Sequence, residues 1–142
     1  MKAISLKQPW ANLIAAGKKT IETRTWNTRY RGPVLIVASK SKVKDRRGKI
    51  IEPMGCSVAI ARIVECRPMR VSDRRRACIA KYPGAKAWIL RGIKRVPHVP
   101  IHGQLGIYNA RLSLKLRRAV AVYCRRYPAM KTSSRVGVRS PG

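Results

Sequence analysis

The chain has 142 residues, 33 of them Lys or Arg and 5 Asp or Glu, for a formal net charge of +28. Its apolar share of 45% is that of an ordinary globular protein, which excludes a coreless basic tail. One domain is expected, burying roughly two-thirds of its unfolded surface without disulfide or metal staples.

No run approaches the roughly 20 apolar residues that cross a bilayer; the longest candidates, Val34 to Ser39 and Cys56 to Ala61, are strand-length. Lys7, Gln8 and Pro9 interrupt the apolar N-terminus before it reaches signal-peptide length. The expected compartment is therefore the cytoplasm, with no membrane partner. Cys56, Cys66, Cys78 and Cys124 lie far apart with no CxxC, which favours reduced thiols over a disulfide framework and offers no zinc spacing.

In chain order, residues 2–6 read as a short strand. Pro9 in a first turn, Trp10, Leu13 and Ile14 at helical spacing and Gly17 as a stop predict a two-turn helix. From Thr20 to Trp26 the period becomes two, with Ile21, Thr23 and Thr25 on one face and Thr20, Glu22, Arg24 and Trp26 on the other. A basic loop, 27–32, leads to a strand over Val34–Ser39 that is apolar on both faces and therefore central. Residues 41–53, with Lys42, Lys44, Arg46, Arg47 and Lys49, read as a mobile charged connector.

Cys56 to Cys66 predicts another strand. Ser72 and Asp73 ahead of Ala77, Ile79 and Ala80 predict a capped helix reaching Tyr82, ended by Pro83-Gly84. Strands over Ala87–Val96 and Leu105–Asn109 follow, and Trp10 and Trp88 are expected in the core. Leu112, Leu114 and Leu116 alternate like a strand, yet Leu112, Leu116, Ala119, Val120 and Tyr123 also form a helical stripe, and length favours a helix over 111–126. The expectation is an α+β fold, a small β-barrel with flanking short helices over 1–110, then a basic helix over 111–127 and a disordered basic tail over 128–142.

Charge is unevenly placed. The acids are Glu22, Asp45, Glu52, Glu65 and Asp73, and none follows Arg74. A surface so unbalanced fits a polyanionic partner, and nucleic acid is the commonest. Glu22 and Arg24, two apart on one strand face, are neighbours, with Lys19 in the turn before them. They either neutralise each other on an exposed face or wall a cleft. In a cleft, Glu22 accepts a proton or a base-edge amino group, Arg24 holds a phosphate or carbonyl, and Trp26 stacks a base. Tyr30, between Arg29 and Arg31, fits an aromatic among cations of the kind that binds single strands. Ser39 and Lys40 end the central strand, and the Arg74-Arg75-Arg76 run offers phosphate contacts. His98 and His102 are four apart, but Pro97 and Pro100 make their stretch non-helical and no carboxylate is near, so neither metal nor cofactor is expected.

Ser5-Leu6-Lys7-Gln8-Pro9-Trp10-Ala11, then Gly17-x-Lys19-x-x-Glu22-x-Arg24-x-Trp26, Arg31-Gly32-Pro33 and Ile36-Val37-Ala38-Ser39-Lys40 resemble the ASCH domain family, as does Pro100-Ile101-His102-Gly103-Gln104-Leu105-Gly106-Ile107-Tyr108. The resemblance covers residues 3–109 and implies a PUA-like β-barrel whose cleft binds RNA, more than DNA, or a modified nucleoside. It implies Lys7 and His102 as phosphate contacts. It also raises two activities: a metal-independent ribonuclease using Lys19, Glu22 and Arg24, or an amidohydrolase of acylated nucleosides such as acetylcytidine. The second fits less well, because Glu22 stands where that type carries threonine and no third residue is visible.

Overall fold

The computed structural model describes residues 1–128, so the expected tail lies, beyond Pro128, outside the described residues. The elements run β1 (Lys2–Leu6), α1 (Trp10–Ala15), β2 (Ile21–Arg24), β3 (Gly32–Ala38), β4 (Cys56–Pro68), a 3-10 turn (Val71–Asp73), α2 (Arg74–Ala77), β5 (Lys86–Arg95), β6 (Ile107–Asn109) and α3 (Leu114–Arg126). One six-stranded sheet takes the order β2-β5-β4-β3-β1-β6. Only β1 and β3 are parallel, which residues 7–31 permit as a long crossover. Register shifts at Ile36/Val37, Ile60/Arg62 and Ile63/Glu65 bend β3, β4 and β5. The sheet curls into a half-barrel, the expected α+β architecture left open, because edge strands β2 and β6 do not pair.

Strand alternation feeds two cores on either face of β3, and a third cluster joins Ile21 of β2 and Ala87 and Ile89 of β5 to Ala77 of α2. Val34 and Ile36 face one way with Ile4, Ile63, Trp88 and Leu90, against Ala11, Ile14 and Ala15 of α1. Leu35 and Val37 face the other way with Ala3, Ile60 and Tyr108, against Leu116 and Tyr123 of α3. Both faces of β3 are thus buried, as a central strand requires. Ser113 caps α3 by accepting from the Leu116 amide (3.3 Å), and Arg62 Nη2 donates to the Tyr127 carbonyl at its far end (2.6 Å). Gly92, at φ +61°, leaves room for this end: a Cβ there would lie 2.9 Å from the Tyr123 hydroxyl.

Two expected elements differ. The helix to Tyr82 is only Arg74–Ala77, because Cys78 turns left-handed (φ 56°) and ends it. Ser72 caps nothing; Asp73 does the anchoring, accepting from the Arg70 amide (2.7 Å) and from both terminal nitrogens of Arg67 (2.7 and 2.9 Å). The 41–53 connector is a hairpin-like turn. Asp45 Oδ1 accepts from the Arg47 and Lys49 amides (2.8 and 3.0 Å), and Lys44 bridges to Ile50. Its base is tied to α1 and the turn before it, since Gln8 Nε2 donates to the Pro53 carbonyl and Asn12 Nδ2 to the Glu52 carbonyl, each at 2.9 Å.

No helix among the described residues is long and apolar enough to cross a membrane. Since α3 covers one sheet face, Leu116→Ala should cost about 2–5 kcal/mol, read as a lowered urea midpoint with α3 and the strands melting together. A change under about 1 kcal/mol would mean that α3 is not part of the core.

Candidate nucleic-acid interface

A cleft of about 650 Å³ opens where the half-barrel fails to close, lined by the end of β1, by β2, by the residues after β3 and by the 102–106 loop. The loop crosses β1 so closely that a Cβ on Gly103 would lie 2.8 Å from Ser5 Oγ. Ser5 Oγ in turn bonds the Tyr108 hydroxyl (2.8 Å), fixing β6 to the wall. Across the seam, Arg24 Nη2 donates to the Ser5 carbonyl (3.2 Å) and to Glu22 Oε2 (3.3 Å). Side-chain contacts replace the missing strand pairing.

Glu22 is 5% exposed and still lines the cleft. Its Oε1 accepts from the Thr23 amide (2.8 Å) and faces Lys19 Nζ at 3.7 Å, leaving Oε2 for Arg24 and for the cleft. Register with β5 places Trp88 opposite Glu22, and the Arg24 guanidinium lies 5.9 Å from the Trp88 ring centroid. Arg24 is thereby held at an aromatic face.

Lys19 occupies a different place from the one expected. It is fully buried, does not line the cleft, and its Nζ donates to the Ala77 carbonyl of α2 (2.5 Å). Burial pushes its pKa below the usual lysine value, against the opposing pull of the Glu22 carboxylate. Its geometry is that of a positioning residue beneath Glu22.

Of the other expected residues, Lys7, Ser39, Lys40 and His102 line the cleft with Glu22 and Arg24. Trp26, 40% exposed, packs edge-on against Trp88 (centroids 4.7 Å, 83°). Its ring would lie 3.8 Å from a Cβ on Gly106, placing it beside the 102–106 loop. Tyr30 is no free stacking platform, because its ring packs on the core and its hydroxyl donates to the Pro33 carbonyl (2.5 Å). Arg31 folds back onto the Thr28 and Tyr30 carbonyls (2.8 and 3.0 Å), and Arg29 is exposed. Arg74 and Arg75 line a separate hollow of about 540 Å³, with Arg76 exposed beside them.

Trp10 packs against the core, as expected, but is half-buried and also lines the cleft; sequence reasoning missed that second role, and with it Ser5, Ser41 and the 103–106 loop. The signal for the loop was its glycines: Gly106 takes φ +66° and Gly103 admits no side chain. No cluster of three metal-ligating side chains occurs among the described residues, and all four cysteines are free thiols.

Fold and site together define a small open half-barrel with a basic cleft at its seam. The ASCH domain family matches this chain over residues 4–97, and the chain belongs to that family. It is 31% identical over 80 residues to activating signal cointegrator 1 of Homo sapiens, and 30% to that of Mus musculus. Each match spans 44% of this chain and only 14% of the relative's length. Among solved structures it is similar to an ASCH protein from Zymomonas mobilis (TM-score 0.59, 16% identity, 85% of this chain and 94% of that one). A point variant of that protein gives a TM-score of 0.58 at 16% identity, covering 85% and 96%. These structures support the fold.

Two outcomes test the framework under the cleft. Lys19→Met strands the Ala77 carbonyl and half-releases Glu22, so it should cost about 3 kcal/mol or more in urea unfolding, against no more than about 1 for Arg24→Ala. Asp73, whose pKa the Arg67 guanidinium holds at about 2 against an ordinary 3.8, stabilises the fold above its unfolded pKa. That contribution, about 2 kcal/mol at neutral pH, should fade as pH falls from about 4 through 2. The gap between wild type and Asp73→Asn should close over that interval.

Proposed function

We propose that the cleft binds one nucleotide of a single-stranded RNA while the surrounding cations hold its backbone. The observation that carries this reading is a lone carboxylate in a wall whose other charged groups are cations: Glu22 stands among Arg24, Lys7 and Lys40, with the His102 imidazole beside them. Phosphate binding alone has no use for an acid. An acid beside a guanidinium reads a base edge, with Glu22 Oε2 accepting from an amino group and Arg24 donating to a neighbouring carbonyl or ring nitrogen. The cleft volume is of the size that takes small ligands, and the half-buried Trp10 offers an aromatic wall for stacking. Lys42 follows Ser41 of the cleft lining in the chain, and the rest of the 41–53 turn carries the further cations Lys44, Arg46, Arg47 and Lys49.

Binding without turnover is the form we favour. Both hydrolytic readings ask Lys19 to act on a substrate, and its ammonium is buried against Ala77 and Glu22. RNA over DNA rests on the readiness of unpaired RNA bases to splay into pockets.

Fluorescence anisotropy with a labelled RNA of mixed sequence tests the reading. Affinity should fall with rising salt, with a log-log slope of about 0.7 per phosphate contact. Arg24→Ala should weaken binding about tenfold, and Glu22→Gln should change which base is preferred. An affinity indifferent to salt, or unmoved in both variants, overturns the proposal. Release of nucleoside fragments or acetate would replace binding with catalysis.

A further inference from the structure

The outer surface of α3 lies on the sheet face opposite α1 and beyond the residues the family accounts for, since the match ends at 97. Its inner side is fully engaged: Leu116 and Tyr123 are buried on the sheet, with Ala119, Val120 and Tyr127 packed around them. The outer side carries Lys115, Arg117, Arg118, Arg125 and Arg126, all exposed. At 3.6 residues per turn Lys115, Arg118, Arg125 and Arg126 fall on one stripe, about 17 Å long at 1.5 Å per residue.

The neighbouring strands extend the stripe. Arg62 reaches the Tyr127 carbonyl, and its cross-strand partner on β5 is Arg91, while Lys94 pairs with Ile60 of the α3-facing core. Cross-strand partners share a face of the sheet. No acid lies on α3 or β5, or anywhere after Asp73. Among the described residues, ion pairs engage only Lys19, Arg24 and Arg67 of all the cations. The α3 face therefore has no internal counter-charge.

We infer that α3 and the adjoining β5 residues form a second binding face, for the phosphodiester backbone of RNA, separate from the cleft. A single strand would engage both by passing around the edge of the half-barrel. The occupant follows from what α3 has left to offer. A basic amphipathic helix binds a membrane by burying its apolar side among acyl chains, but that side of α3 is already the floor of a core. What remains outward is a set of cations with two exposed apolar side chains, Leu114 and Val122, among them; the cations match a chain of phosphates, and two separated apolar residues fall short of the continuous apolar face that an interfacial helix buries. The inference rests on reading the partner as RNA; it adds where a long strand goes.

The test compares a four-fold variant, Lys115→Gln with Arg118→Gln, Arg125→Gln and Arg126→Gln, against wild type in the full chain. Circular dichroism and the urea midpoint should not move, because all four side chains are exposed. Binding of a 30-nucleotide RNA at low salt should weaken about tenfold or more, and the salt slope should fall by about 0.7 for each contact removed. Binding of a mononucleotide should stay within about twofold, and the matching Lys115→Arg change should keep the wild-type slope. An unchanged slope and affinity for the long RNA overturns the inference while leaving the cleft reading intact. Loss in the four-fold variant, with Arg24→Ala silent, supports the face and removes the cleft reading. Sedimentation with vesicles containing anionic phosphatidylserine, abolished in the four-fold variant and with no RNA bound, would overturn it in favour of a membrane surface.

Discussion

The geometry of the cleft depends on an ammonium group that never reaches it. Taking a lysine out of water costs several kcal/mol unless its partners are fixed, and Lys19 meets two, the Ala77 carbonyl and the Glu22 carboxylate. Each partner is fixed in turn. Ala77 ends a helix of one turn that could not stand alone, and Asp73 braces that turn with a two-pronged Arg67 and the Arg70 amide. Glu22 is pinned from below through Oε1 and from the side through Arg24. The cleft acid is thus aimed by residues far away in the chain.

An unclosed barrel explains why the cleft is where it is. Free strand edges expose unpaired amides and carbonyls and invite foreign strands. Here the edge at β2 is only four residues long and the one at β6 only three. The gap between them is crossed by the 102–106 loop and by Arg24 donating to the Ser5 carbonyl. A full strand in that position would have filled the space with hydrogen-bonded backbone. Side-chain bridging leaves a hollow lined by polar groups, with Leu6, Trp10 and Leu105 as its apolar side chains.

What could be read in advance divides along contact distance. The period of two through Glu22 and Arg24, the doubly apolar β3 and the stripe of Leu116, Val120 and Tyr123 are local patterns, and each led to the right element. The Lys19–Ala77 bond is not local, and an isolated lysine beside an acid and an arginine looks like a third member of a surface cluster. Tyr30 misled for the same reason: flanking arginines suggested exposure, yet its ring is needed to pack on the core. The 41–53 turn reads as loose because its cations dominate its composition, whereas its order comes from one carboxylate, Asp45, and from Gln8 and Asn12, in and just before a distant helix. The short α2 also escaped, since a left-handed Cys78 leaves no mark in composition.

Cations in such excess raise a question of selectivity that charge alone does not answer. A net +28 attracts any polyanion, and screening over about 8–10 Å at ordinary ionic strength lets each exposed side chain act nearly alone. Such contacts hold a backbone but carry no information about bases. Among the residues that line the cleft, the acid is the one group that repels phosphate. If a nucleic-acid strand is the partner proposed above, laying its backbone across this wall is disfavoured and turning a base inward is favoured. On the proposed reading, the same carboxylate that costs attraction sets orientation, and its burial over Lys19 then matters more to recognition than any single surface arginine.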